Sequence, residues 1–254
     1  MPSDIDVRGV DEKSANCGMR QSETAEPTAV RDFYDRVYHA KAAPTASISK
    51  HLRRIALRVG PWQGKHVLDV GCGVGDWLKI GASLGAIPAG VDISHMAIDA
   101  CRRSLPQAEL YCGPAEALPF RNGQFDFISC LGSIEHFLNP ESALREMVRV
   151  AKRDALFLLL VPNADFPPRR LGLYSGTEQA AVKEEVLTLE AWNQLFESAG
   201  LRVQTRWKDL HVLSTSWIFR GPGYLWPLRL AQALALPLWP LRWQYQVYHL
   251  CKLR

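Results

Sequence analysis

The chain of 254 residues can bury one substantial hydrophobic core, because 47% of its residues are apolar and domains of this size commonly stay undivided. Lysine and arginine exceed aspartate and glutamate by four, an excess too small to indicate a nucleic-acid-binding protein. The six cysteines form no CxxC pair, and the first thirty residues contain no apolar signal segment. These features exclude a disulfide scaffold and predict a cytoplasmic protein.

The predicted elements begin after a polar N-terminal stretch. Residues 1–28 have little to bury and are predicted to be a disordered tail. Two helices are predicted next, over Val30–Tyr38 and Ile48–Val59. From Gly64 onward, apolar runs alternate with helical patterns, which is typical of a parallel sheet between layers of helices.

This alternation predicts a Rossmann-like, doubly wound α/β fold with a seven-stranded, mostly parallel sheet. The predicted strands are His66–Val70, Ile87–Ile93, Ala108–Cys112, Phe125–Leu131, Ala155–Val161, Leu201–Trp207 and His211–Phe219. The predicted helices between them are Asp76–Leu84, Met96–Ser104, Pro140–Lys152 and Thr188–Gly200. The domain is expected to span residues 29–216, with an aromatic and basic extension over residues 217–254.

A glycine-rich turn follows the first predicted strand. Gly71, Gly73 and Gly75 form a GxGxG pattern, and Asp92 ends the second strand 21 residues after Gly71. Such glycines let a nucleotide approach the backbone, and an acid at this position binds ribose hydroxyls. Asp69 precedes the first glycine by two residues; it would repel a pyrophosphate and attract a sulfonium ligand with an amino group. The pattern therefore favours S-adenosylmethionine over a dinucleotide.

Longer motifs carry a resemblance to a known family. Five segments resemble, in order, the motifs of the class I S-adenosylmethionine-dependent methyltransferases; they are LDVGCGVG (68–75), GVDIS (90–94), AEALPF (115–120), FDFISCLGSIEHF (125–137) and VPN (161–163). The resemblance runs from about Phe33 to Trp207. Within the family the chain is most similar to the methyltransferase type 11 group, which contains quinone-biosynthesis and small-molecule or sugar O-methyltransferases.

The resemblance implies S-adenosylmethionine as cofactor, with Asp92 on the ribose and Ile93 on the adenine. The family usually has Gly-Asp-Ala-Glu after the third strand, whereas this chain has Pro114 in place of the aspartate that receives the adenine amino group. Glu116 either takes over a polar contact or begins a solvated turn. The implied cofactor-binding residues are Asp69, Gly71, Cys72, Gly73, Gly75, Asp92, Ile93, Ala115, Glu116 and Leu131.

Methyl transfer requires that donor and acceptor be held in line, and a base where the acceptor loses a proton. Glu135 and His136 follow the fourth strand, where open α/β sheets bind ligands. Some sugar O-methyltransferases resemble this segment and use the histidine as base; alternatively the pair only packs the loop. Tyr34 and Tyr38 resemble family aromatics that close over the acceptor, or belong to a helix core, and Asn163 is a further acceptor-binding candidate. The histidines and cysteines have no metal-ligand spacing, so no metal is expected.

The segment 217–254 is rich in tryptophan and leucine and contains no acidic residue. Its apolar part is too short and too interrupted by proline to cross about 30 Å of hydrocarbon. The mixture of aromatic and basic residues predicts peripheral contact with the inner face of a membrane. The alternatives are a homodimer interface and a lid over the site.

These patterns predict a methyltransferase that acts on a small or lipid-like acceptor, with O-methylation as the first hypothesis. Two alternatives stay open. One is an enzyme that uses the same cofactor for a transfer other than methyl transfer, and the other is a non-catalytic, membrane-associated scaffold that binds the cofactor.

Overall fold

One mixed sheet organises the described part of the chain. The computed structural model describes residues 27–38, 49–172, 184–213, 218–219 and 222–254; most of the expected tail therefore lies outside the described residues. The strands are β1 (His66–Val70), β2 (Ile87–Asp92), β3 (Glu109–Cys112), β4 (Phe125–Leu131), β5 (Ala151–Pro162), β6 (Leu201–Lys208) and β7 (Gln246–Leu253). The helices are α1 (Pro27–Phe33), α2 (Lys50–Val59), α3 (Asp76–Ser83), α4 (His95–Ser104), α5 (Pro140–Val150), α6 (Pro167–Arg170), α7 (Leu189–Ser198) and α8 (Trp226–Ala235).

The sheet has the strand order β3-β2-β1-β4-β5-β7-β6. Strands β1 to β5 are parallel, and β7 is antiparallel to both of its neighbours. Consequently β6 runs parallel to β5, and the carboxyl ends of the parallel strands lie at one edge, which we call the carboxyl edge. The predicted fold class, a doubly wound and mostly parallel sheet of seven strands, is confirmed.

The last strand of the sheet differs from the prediction. His211–Leu213 form a 3-10 turn, and residues 214–217 lie outside the described residues. The seventh strand is instead Gln246–Leu253, hydrogen-bonded between β5 and β6. The prediction of a strand over His211–Phe219 is therefore wrong. β7 lies between two strands and is covered on both faces, which suits the apolar residues at the end of the chain. The aromatic and basic extension expected over residues 217–254 therefore ends before Gln246.

Apolar layers cover both faces of the sheet. Adjacent residues of β4 point to opposite faces: Ile128 packs in the cluster that contains Met147 of α5 and Trp192 of α7, while Phe127 packs in the cluster that contains Ala56 of α2. The central strand β4 and the Ala155–Val161 part of β5 are mostly apolar and lie under these layers, as expected for strands buried on two sides.

The helix that follows β4 begins where the sequence predicts. The side chain of Asn139 accepts a hydrogen bond from the Ser142 amide at 2.9 Å, and Pro140 occupies the first turn of α5. This cap satisfies an amide that would otherwise lack a partner, and it fixes the end of the loop that precedes the helix.

A buried carboxylate joins α2 to the last two strands. Asp209 follows β6; its Oδ1 lies 2.7 Å from His51 Nε2, and its Oδ2 lies 2.6 Å from His211 Nδ1. The Tyr248 hydroxyl of β7 lies 3.4 Å from the same His51 nitrogen. Burial raises the pKa of Asp209, but the hydrogen bonds from His211 and His51 outweigh this effect and hold the pKa at about 2. The cluster fixes the first turn of α2 against β6 and β7.

The cluster makes stability depend on pH. Because the pKa of Asp209 is lowered in the folded state, its ionisation adds to the free energy of unfolding above the ordinary pKa of 3.8. This stabilisation is lost as pH falls through about 2. Burial lowers the pKa of His211, but the hydrogen bond and charge of Asp209 raise it overall. The contribution of His211 is therefore present below its ordinary value of 6.5 and is lost as pH rises through its folded value. The cluster stabilises the fold most between about pH 4 and 6.5.

We expect Asp209→Asn to lower the free energy of unfolding by roughly 2 kcal/mol near pH 5.5, and by less near pH 9, because the charged hydrogen bonds are lost where the histidine is protonated. Urea unfolding at both pH values measures this difference. Asp99→Asn is a matched control, since Asp99 pairs with Arg102 at the exposed surface, where ion pairs contribute little. An equal loss at both pH values would contradict the account.

Candidate active site

A cavity of about 720 Å³ opens at the carboxyl edge of the sheet, within the volume range of small-molecule and cofactor sites. It is lined by residues that follow β1, β2, β3 and β4, together with residues of the N-terminal helices. The predicted site residues among them are Tyr34, Asp69, Gly71, Cys72, Gly73, Asp92, Ile93, Ala115, Glu116, Leu131 and His136.

The glycine turn after β1 lies along one wall of this cavity. The amides of Gly71 and Cys72 both donate to the carbonyl oxygen of Val91, at 2.8 and 3.0 Å. Gly71 has a φ of +76°, and a Cβ there would overlap the side chain of Ser133. The turn thus packs between β2 and the loop after β4, and residue 71 must be a glycine.

Gly75 contributes to the turn without lining the cavity. It has a φ of +82° and precedes the first residue of α3, and a Cβ there would overlap the Cys101 side chain of α4. The shape of the turn therefore requires a glycine here, and the role of Gly75 in cofactor binding stays a prediction. Cys72 is buried and lines the cavity, as expected for a small residue that fits the turn.

Asp92 joins the turn to the start of α4. Its Oδ2 accepts a hydrogen bond from the Gly73 amide at 2.8 Å, and its Oδ1 accepts one from the Ser94 amide at 2.9 Å. A carboxylate accepts hydrogen bonds in defined directions, so these two bonds fix the orientation of the group. Asp92 therefore lines the cavity in a fixed orientation, and its contact with a ribose stays a prediction.

Asp69 is a second carboxyl group in the cavity wall, and its side chain is almost fully buried. Burial raises the pKa of Asp69 to about 8, although a 2.6 Å hydrogen bond from the Ser129 hydroxyl opposes this effect. The negative charge of Asp92 raises the pKa further. Near pH 7 this carboxyl group is mostly protonated, and a cation placed beside it would favour the carboxylate form.

The wall of the cavity is acidic. Asp69, Asp76, Asp92 and Glu116 line it, whereas no lysine or arginine of the described residues does. This distribution disfavours a pyrophosphate, because carboxyl groups repel its negative charge. It favours a ligand with positively charged groups and hydroxyls.

The segment after β3, where the chain departs from the family pattern, also lines the cavity. Pro114, Ala115 and Glu116 all face it. The Oε1 atom of Glu116 accepts a hydrogen bond from the Asn139 amide at 3.0 Å. Glu116 therefore lies in a turn after β3 and connects it to the start of α5.

Glu135 and His136, the predicted catalytic pair, occupy different positions. Both are buried in the 3-10 turn Ile134–His136, but only His136 lines the cavity. Glu135 Oε1 lies 4.0 Å from His136 Nε2, beyond hydrogen-bond distance. Burial raises the pKa of Glu135 to about 8, and its Oε2 has no hydrogen-bond partner among the described residues. Glu135 thus lies behind the histidine and outside the cavity wall.

The N-terminal helix and the π-helical turn Tyr34–Tyr38 that follows it cover part of the cavity. Val30 and Tyr34 line the cavity, and the Asp35 carboxylate accepts hydrogen bonds from the Ser94 hydroxyl and the Met96 amide. These bonds dock the turn on the start of α4, next to Asp92. The side chain of Tyr38 lies outside the described part of the structure.

Asn163 is not brought to the cavity. Its side-chain amide donates to the carbonyl oxygens of Arg242 and Gln244 at 2.8 and 3.1 Å, and its Oδ1 accepts from the Asp165 amide at 3.1 Å. The fully buried side chain is therefore occupied in joining the end of β5 to the segment before β7. This position corrects the prediction that Asn163 contacts the acceptor.

Several lining residues were not predicted. Leu52 comes from α2, Trp77 from α3, and Ser133 and Phe137 from the loop that holds His136. Only the loop has a signal in the sequence, its place after the fourth strand; the helical residues have an ordinary amphipathic pattern. Within the described ranges, no group of three or more histidine, cysteine or acidic side chains is arranged to hold a metal ion.

Comparison with known proteins agrees with this geometry. Residues 68–159 match the family described as methyltransferase domain. A ubiquinone biosynthesis O-methyltransferase of Coxiella burnetii is 33% identical over 108 residues, which are 41% of this chain and 46% of that protein. The chain spans about half the length of the relatives that it matches in sequence.

Solved structures share the fold across most of the chain. The complex of the Haloferax volcanii Trm112 methyltransferase activator with a methyltransferase partner aligns with a TM-score of 0.67 at 18% identity, over 88% of this chain and 97% of that chain. Magnesium protoporphyrin IX methyltransferase from Synechocystis, with bound S-adenosylhomocysteine, aligns with a TM-score of 0.58 at 15% identity, over 89% and 99%. Residues 68–159 therefore match the methyltransferase domain family, whose class I members use S-adenosylmethionine as their cofactor, and most of the chain has the fold of solved methyltransferases.

Proposed function

We propose that this protein transfers a methyl group from S-adenosylmethionine to a small or lipid-like acceptor, by O-methylation. The observation that carries the proposal is the cavity over the glycine turn, lined by acidic side chains and by no lysine or arginine among the described residues. When bound, the cofactor supplies a methyl group activated by a sulfonium cation, and the acidic wall suits that charge.

The residues present fit the cofactor. Asp92 is oriented by two backbone amides and would receive the ribose hydroxyls. Ile93 and Ala115 line the cavity beside it and would contact the adenine, while Asp69 would meet the amino group of the methionine part. Pro114 cannot accept a hydrogen bond through its side chain, so adenine recognition would depend on Glu116 and on backbone groups.

His136 is the group that we propose takes a proton from the acceptor hydroxyl. It lines the cavity, and a neutral imidazole is an effective proton acceptor near neutral pH. Glu135 would act through His136 as a positioning residue. Once the imidazole is protonated, the positive charge 4.0 Å away would lower the pKa of Glu135 and favour its carboxylate.

A lipid-like acceptor, and work at the inner face of a membrane, are part of this proposal. One sequence relative is a ubiquinone biosynthesis O-methyltransferase, and the segment ahead of β7 is aromatic and basic. No helix among the described residues is both long enough and apolar enough to span a bilayer, so the contact proposed is peripheral. A second candidate, transfer of a group other than methyl, is favoured only by Pro114 and would appear as non-methyl products.

We expect His136→Ala to lower turnover by roughly a hundredfold, because the proton acceptor is lost, and to leave the affinity for S-adenosylhomocysteine nearly unchanged. The acceptor is first found by screening quinone, lipid and glycan compounds with a labelled methyl donor. Turnover and calorimetric affinity are then measured on the same preparations. Glu135→Gln is the control and should have a smaller effect. Unchanged turnover in His136→Ala would remove this histidine as the base.

Binding of S-adenosylhomocysteine should release a proton from Asp69. Its pKa of about 8 keeps the group protonated near neutral pH, and the amino cation of the ligand would favour the carboxylate. Affinity should therefore rise between pH 6 and 7.5, by up to about tenfold per pH unit. Calorimetry in buffers with different ionisation enthalpies measures the proton released.

Asp69→Asn should remove this pH dependence, and Glu135→Gln should retain it, although the pKa of Glu135 is also about 8. If Asp69→Asn binds with the same pH dependence as the natural chain, another group takes up the charge of the ligand.

A further inference from the structure

Helix α8 presents apolar side chains to the solvent. Trp226, Leu230 and Leu234 are spaced four residues apart, and Leu238 continues their row in the following 3-10 turn; we call these four residues the apolar row. Leu234 is 65% exposed and Leu238 is 84% exposed. A surface helix normally turns its polar face outward, so this orientation indicates that the outer face contacts something apolar.

The apolar row belongs to the segment between β6 and β7, and the inner side of this segment packs against the domain. On the inner side, Leu236 is buried against Phe166. The side-chain amide of Gln244 donates to the carbonyl oxygens of Leu236 and Trp239 at 2.7 and 3.0 Å, and the Lys208 ammonium donates to the Pro237 carbonyl at 2.7 Å. Because this inner side has its own apolar and hydrogen-bonding partners, the exposed leucines are not a displaced part of the core.

The segment also lies at the same edge of the sheet as the cavity. It leaves the carboxyl end of β6 after Lys208 and enters β7 at Gln246, which pairs with Pro162 at the carboxyl end of β5. Leu160, two residues before Pro162, lines the cavity. A surface bound by the apolar row would therefore be near the edge where the acceptor must enter.

The charge of the segment favours an anionic partner. No aspartate or glutamate occurs between Asp209 and the start of β7, and the arginines of that stretch are Arg220, Arg229 and Arg242. Two copies packed through this face would bring positive charge against positive charge. An anionic lipid surface instead accepts leucines into its acyl region, aromatic rings at its headgroups and arginines at its phosphates. Tyr224, 80% exposed just ahead of α8, adds a ring suited to the headgroup level.

We infer that the apolar row of α8 docks the protein on an anionic membrane, with the carboxyl edge of the sheet beside the lipid, so that the acceptor is an amphiphile taken from that membrane. This inference rests on the proposed methyltransferase function for its substrate class, while the docking surface stands on the exposed residues alone.

The test is co-sedimentation of the full chain with vesicles of phosphatidylcholine alone and of equal parts phosphatidylcholine and phosphatidylglycerol. We expect binding to the anionic vesicles and much weaker binding to the neutral ones. The double variant Leu230→Glu, Leu234→Glu should bind at least about tenfold more weakly, because it places charge on the face that enters the lipid. Leu57→Glu is the matched control, since Leu57 is 62% exposed on α2, and it should bind like the natural chain.

Leu238→Glu alone should also weaken binding to the anionic vesicles. It provides an independent test if the double variant does not fold. Calorimetry with S-adenosylhomocysteine on every variant separates the two proposals. Variants that keep their affinity for S-adenosylhomocysteine but lose vesicle binding support docking. If the natural chain itself does not bind S-adenosylhomocysteine, only the proposed function is contradicted. Docking is overturned if the natural chain does not bind anionic vesicles, or if the double variant binds them as strongly as the natural chain does. It is also overturned if light scattering shows a dimer that the double variant dissociates without any vesicle binding.

Discussion

The carboxylate of Asp92 is the interaction on which the geometry of the site depends. Its two oxygens hold the Gly73 amide of the glycine turn and the Ser94 amide at the start of α4. Ser94 in turn contacts Asp35, so the N-terminal turn that covers the cavity is connected to the same group. Three segments distant in sequence are thereby arranged around one charge, before any ligand is bound. Such prior arrangement lowers the entropy that ligand binding must overcome.

Electrostatics then restricts what the cavity can hold. Two carboxyl groups, Asp69 and Asp92, lie in one wall, and burial raises the pKa of Asp69 to about 8. A neutral or anionic ligand would leave this buried acid protonated, whereas a cationic ligand gains from its ionisation. Buried groups with shifted pKa values concentrate at functional sites for this reason. The site accordingly suits a sulfonium cofactor, and the same acidic wall disfavours the pyrophosphate of a dinucleotide.

The sequence predicted most of the fold and many residues of the cavity wall, because their signals are local. The glycine turn, Asp92 and the helix cap at Asn139 are each recognised from a few neighbouring residues. The last strand was missed because His211–Phe219 has strand-like character, while the choice of Gln246–Leu253 depends on pairing with strands far away in sequence. Asn163 and Glu135 were assigned by proximity in sequence. Their actual partners, distant carbonyl groups for Asn163 and a buried environment for Glu135, are set by tertiary packing.

Calorimetric titration with S-adenosylhomocysteine, beside nicotinamide adenine dinucleotide, tests the central claim most directly. Asp92→Ala is the informative variant, and Asp99→Ala, at an exposed position of α4, is its control. The natural chain and the control should bind S-adenosylhomocysteine and not the dinucleotide. Asp92→Ala should bind at least about tenfold more weakly, because the ribose loses its charged acceptor. Absent binding of S-adenosylhomocysteine, unchanged affinity in Asp92→Ala, or preference for the dinucleotide would contradict the account.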